Sequence, residues 1–148
     1  MTSAVDYRIE SHERGGGLQS VQAGMHDVAD DLRETLQEMA TLLRVARGEG
    51  SPADVERLGI NWDADPMDAV SEWVDSWALD INASKGRVWV LLAVGGPTIE
   101  LDILRDPSDA VEEVIYRRYW GSAHDRAWTD DGRALEIAAD FLDLIGRL

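Results

Sequence analysis

The chain predicts an α+β fold, with helices first, then an antiparallel meander, then one closing helix. Three observations carry this. Residues 18–47 repeat apolar side chains at intervals of three, four and seven, the spacing of a helix face. Residues 87–129 change to the alternation of strands, divided by glycine- and proline-bearing turns. Residues 131–146 return to the helical period. Segregated helices and strands indicate a helical layer packed on a three- to four-stranded antiparallel sheet. A length of 148 residues fits one domain, 1–148, able to bury a core.

Each element has a local reason. Val5, Tyr7 and Ile9 alternate with Asp6, Arg8 and Glu10, which predicts a short half-buried strand. Gly15, Gly16 and Gly17 then form a joint, so that residues 1–17 make a first unit. The helical part spans 18–82. Its first helix, 18–47, lines Leu18, Val21, Met25, Val28, Leu32, Met39 and Leu42 along one side, with Leu36 and Leu43 flanking and Thr35 interrupting. Unbroken, it would be about 45 Å long. The stripe is expected to pack on the sheet or on other helices; a second reading pairs part of it with another copy in a homodimer.

Gly48 and Gly50 end that helix. Ser51-Pro52-Ala53-Asp54 reads as an N-cap, a first-turn proline and an acidic third position, opening a short helix that stops at Gly59. Asp65-Pro66-Met67-Asp68 repeats this grammar and opens a helix with Val70, Trp73, Val74, Trp77 and Ile81 on one face. Residues 87–94 are apolar on both faces, as in a central strand. Gly95-Gly96-Pro97 turns the chain into 98–105, where Ile99, Leu101 and Ile103 alternate with Glu100 and Asp102. Asp106-Pro107-Ser108-Asp109 makes the next turn. Residues 111–120 form the third strand, 122–125 a loop, and 126–129 a short edge strand. Leu135, Ala138, Phe141, Leu142 and Ile145 mark the buried stripe of the closing helix.

Charge bounds the partners. Lys and Arg total 14 against 29 Asp and Glu, a formal net charge of −15. Such a surface repels nucleic acid and anionic membrane and attracts basic protein surfaces. With no cysteine, disulfides, thiolate metal sites and a cysteine nucleophile are excluded. Residues 1–10 carry no basic stretch followed by an apolar one, and no apolar run is long enough to span a bilayer. The expectation is a cytoplasmic protein with no cofactor and no metal.

Two clusters stand out. Asp27, Asp31, Glu34 and Glu38 recur at intervals of four, three and four, which places them on one side of a helix. Their rise, about 4.5–6 Å per step, is comparable to phosphate spacing on a nucleic-acid strand. Asp63, Asp65, Asp68, Glu72 and Asp75 are interleaved with Trp62 and Trp73, a mixture suited to an arginine-rich protein surface. Both clusters are also explained by solvated helix faces, and the tryptophans by core packing. Asp63, Asp65 and Asp68 lack the glycine and terminal glutamate of a calcium loop. His12, His26 and His124 show no paired zinc spacing. His124-Asp125, near Trp120 and Trp128, is the one candidate for a general base in a small pocket.

The segment 89–103, with Leu91, Leu92, Gly95, Gly96, Pro97 and Ile99, is followed by Trp120, Gly121, Trp128 and Phe141. This part resembles a set of small acidic proteins carried by bacteriophages and plasmids. They share an apolar strand, a Gly-Gly-Pro turn, a second strand, a Trp-Gly segment and a closing helix. The likeness covers roughly the C-terminal 60 residues, and the spacing from Trp120-Gly121 to Trp128 is wider than in that set. The resemblance implies a context, a mobile genetic element in contest with host defence, and carries over no particular activity.

Together these features lead to the expectation of a non-enzymatic inhibitor. It would cover the basic nucleic-acid-binding surface of a defence complex, of anti-CRISPR or anti-restriction type. An immunity protein or antitoxin against a basic nuclease is the alternative, and a small enzyme near His124 the third reading.

Overall fold

The computed structural model describes residues 7–14, 27–59, 65–95, 97–121 and 123–148. Among these, four helices and six strands run in the order β1 (Glu10–Arg14), α1 (Val28–Ala46), α2 (Pro52–Leu58), α3 (Pro66–Trp77), β2 (Asp80–Ser84), β3 (Arg87–Ala93), β4 (Thr98–Arg105), β5 (Val111–Trp120), β6 (Ala123–Thr129) and α4 (Gly132–Ile145). The α+β expectation holds. The strands form one antiparallel sheet in the order β1-β6-β5-β4-β3-β2. Strands β2 to β6 are a meander in chain order, and β1 is added beside β6.

The sheet has six strands, where three to four were expected. One extra strand, β2, replaces the expected end of the α3 helix. Ala78 takes an extended backbone, φ −106° and ψ 130°, so the helix stops and Ile81 pairs with Val90 in the sheet. Ile81 lies four residues after Trp77 and two after Leu79, so its position satisfies both periods. Gly86, at φ +81°, then closes the tight β2–β3 turn. The strand expected over residues 5–10 is displaced, because the ladder to β6 begins at Glu10, opposite Trp128. Tyr7 is buried and Ile9 packs against the core just before it; Val5, Asp6 and the Gly15–17 joint lie outside the described residues. β6 begins at Ala123, within the expected loop, and is interior because β1 covers its far side.

Helix α1 starts later than the apolar stripe suggests. Asp27 is its N-cap, with an extended backbone at φ −56° and ψ 140°, and its carboxylate accepts from the Ala29 N–H at 2.7 Å. The helix therefore does not run through residue 27. Its 19 residues span about 28 Å, and the expected portion over 18–26 lies outside the described residues. Val28, Leu32, Leu36, Met39 and Leu42 are fully buried in the chain's own core, against Val70, Val90, Leu101, Ile103, Val114, Ala138 and Phe141. Each such side chain contributes about 1.5–3 kcal/mol by leaving water. The described part of the stripe is thus occupied within the molecule.

The other caps follow the sequence grammar. Ser51 and Asp54 bond reciprocally at the start of α2, and Gly59 ends it at φ +67°. Asp65 caps α3, and Asp131 caps α4. In the β4–β5 turn the Asp106 carboxylate accepts from the Ser108 hydroxyl and the Ser108 and Ala110 N–H groups, which holds its carboxyl below the usual carboxylate range.

Candidate functional site

The helices build a groove of about 730 Å³. Helix α1 contributes Asp30, Arg33, Glu34, Gln37 and Glu38; α2 contributes Arg57 and Leu58; α3 contributes Trp73, Ser76 and Trp77. Its aromatic wall is anchored in the core. Trp73 stacks on Trp77, four residues on, with ring centroids 5.3 Å apart and planes 17° from parallel. Trp77 in turn meets the buried Phe141 of α4 edge-on, at 5.4 Å. In this three-ring series Trp73 and Trp77 are both half-buried and both line the groove.

The carboxylates of the groove are not equivalent. Asp30 is neutralised by Arg33 at 2.9 Å. Glu34 and Glu38 lie one turn apart on α1. Glu38 is half-buried, and no hydrogen bond or ion pair among the described residues reaches its carboxylate. Burial pushes its carboxyl above the usual range, and the neighbouring Glu34 charge pushes it further. On the solvent side of α3, Asp68, Glu72 and Asp75 are exposed, and no ion pair among the described residues reaches them.

The expected binding residues therefore divide. Glu34 and Glu38 line the groove, and Asp68, Glu72 and Asp75 occupy the outer side of α3. Asp27 and Asp65 remain exposed but act as helix caps, accepting from Ala29 and from Met67 and Asp68 respectively. Asp31 turns inward and pairs with Arg118. Trp62 and Asp63 lie outside the described residues. Sequence reasoning set Trp73 among the acidic cluster, read Trp77 only as part of the apolar face, and did not bring Gln37 or Arg57 to the site. The four-residue interval between the two tryptophans was the available signal, and their shared face read equally well as core.

Beneath this face lies a charged triad. Arg118 on β5 is 1% exposed and reaches Asp31 at 2.9 Å and Asp125 at 3.1 Å. Burial, followed by the Asp31 charge, pushes the adjacent Tyr116 phenol far above its ordinary value. The triad ties α1 to β5 and β6.

The His124-Asp125 pair has no acid–base geometry. Alternation along β6 sends the two side chains to opposite faces of the sheet. Asp125 is buried on the helix side with Arg118, whereas His124 stacks flat on Tyr119, with centroids 4.7 Å apart. The Arg126 guanidinium lies over Trp128 on the same outer face. There Asp102, 1% exposed, is bridged by Arg87 at 2.6 Å and by Arg117. Among the described residues no group of three or more acidic or histidine side chains is arranged to hold a metal, and no helix is long and apolar enough to cross a membrane.

No protein-family model matches the chain, and neither a curated protein nor a solved structure matches it significantly.

Proposed function

We propose that this protein binds a basic protein surface through the face formed by α1 and α3, and that this surface otherwise holds nucleic acid. The observation that carries the reading is that exposed carboxylates adjoin a groove with an aromatic wall. Asp54, Asp102, Asp125 and Asp140 each have an arginine partner. Among the described residues Asp68, Glu72 and Asp75 have none, and they stand beside a groove lined by Glu34 and Glu38. Exposed carboxylates next to a rigid aromatic wall suit a partner rich in arginine.

A partner groove built to neutralise phosphates offers Lys and Arg at comparable intervals. Occupying it would exclude DNA or RNA, the action of an inhibitor aimed at a host nucleic-acid-binding defence complex. The experiment is affinity purification from the natural host, followed by competition with the partner's own nucleic acid in rising salt. The expected result is mutually exclusive binding that weakens with salt. A ternary complex of partner, nucleic acid and this protein would contradict the reading. A partner encoded beside this gene and toxic by itself would direct the same chemistry to an antitoxin role.

A further inference from the structure

The groove is more specific than an acidic surface requires. Its charges are Asp30, Glu34 and Glu38 against Arg33 and Arg57. The Asp30–Arg33 pair cancels. The lining as a whole keeps three carboxylates against two guanidiniums, and Arg57 is exposed to solvent, which screens it. One further positive charge brings the lining to neutrality. The neighbouring wall is an indole held by a second indole that is itself fixed against Phe141. An indole face attracts a cation, and a planar guanidinium can stack on it while its edge bonds to carboxylates. The Gln37 side-chain carbonyl and the Ser76 hydroxyl oxygen add acceptors.

We propose that the groove between α1 and α3 receives one arginine side chain of the partner, its guanidinium stacked on Trp73 and bonded to Glu38. The assignment rests on the reading that this face binds a basic protein, and it names the group that anchors there. Among the described residues no counter-ion reaches Glu38, so a guanidinium supplies one and offsets the neighbouring Glu34 charge. Arginine is favoured over lysine because an ammonium cannot stack as a plane.

The test uses N-acetyl-arginine amide, N-acetyl-lysine amide and a hexa-arginine peptide, each titrated into the full chain and followed by the tryptophan indole N–H resonances. Acetyl-arginine amide is expected to shift Trp73 and Trp77 saturably and more tightly than the lysine analogue. Glu38→Gln should weaken it at least about threefold, the scale of a partly exposed ion pair. No saturable shift at the two indoles, or equal affinity for Glu38→Gln and the parent, overturns the groove assignment. The peptide separates the two levels of the claim. If hexa-arginine still binds and is weakened by neutralising Asp68, Glu72 and Asp75 together, only the groove assignment fails. If it binds and is unaffected by that change and by Glu38→Gln, the reading of the whole face fails with it.

Discussion

The Arg118 guanidinium lies 2.9 Å from the Asp31 carboxylate and so joins the middle of the sheet to the first turns of α1. Arg118 is nine-tenths or more buried and also holds the buried Asp125. Removing the arginine leaves Asp125 charged, desolvated and without its cation. Arg118→Met should therefore lose about 3–5 kcal/mol. Asp31 keeps 19% of its side chain in water, so Asp31→Asn should lose less, about 1–2 kcal/mol. Urea unfolding midpoints measure both, and equal losses would argue against Arg118 as the centre of the triad.

Asp102 provides the contrast. It is as buried as Asp125, but its partners Arg87 and Arg117 reach solvent. When Asp102 becomes Asn, both guanidiniums still find water. The expected loss is about 1–3 kcal/mol, below that of Arg118→Met. Urea unfolding at neutral pH again gives the comparison.

Glu38 should make stability depend on pH in a definite direction. Burial and Glu34 raise its folded-state value above the ordinary one of 4.5. The charged form is disfavoured in the folded state, so the cost is fully present above the folded value. It disappears as pH falls below the unfolded value. Glu38→Gln should raise the melting temperature at pH 7–8, and the gain should vanish in acid, below about pH 4. Thermal melts of parent and variant across this range test it; a gain that persists in acid contradicts the assignment.

Helix α2 has no buried residue and depends on its ends. The Ser51 hydroxyl accepts from the Asp54 N–H, and the Asp54 carboxylate accepts from the Ser51 N–H and from Arg44. Ser51→Ala should cost about 1 kcal/mol. Because so little apolar surface is at stake, the loss should be local. Amide exchange over 52–58 should accelerate, while global unfolding moves little.

Much of the fold could be read because local chemistry and tertiary packing agree. Asp65-Pro66 caps a real helix, Gly59 ends one, and Ile99, Leu101 and Ile103 alternate as a strand does. The misreadings arise where two periods coincide or where none is visible. Ile81 fits both helix and strand. β1, Glu-Ser-His-Glu-Arg, is a polar edge with no alternation, and only pairing with β6 reveals it. In the candidate site, spacing found Glu34 and Glu38 but could not separate them from Asp31. That separation depends on Arg118, 87 residues away in sequence. Tertiary charge pairing decides which carboxylate of a helical stripe turns inward, and it leaves no mark on the stripe itself.

The proposed binding of basic partners depends on where the carboxylates are placed and not on net charge alone. Two variants of equal charge decide it. One neutralises Glu34, Glu38, Asp68, Glu72 and Asp75; the other neutralises the exposed Glu49, Asp80, Glu112, Glu136 and Asp143. Binding of each to hexa-arginine peptide is measured by titration calorimetry at a series of salt concentrations. The expected result is a loss of tenfold or more, about 1.4 kcal/mol, for the first variant, with a shallower salt dependence and little change for the second. Equal losses for both variants would contradict the claim.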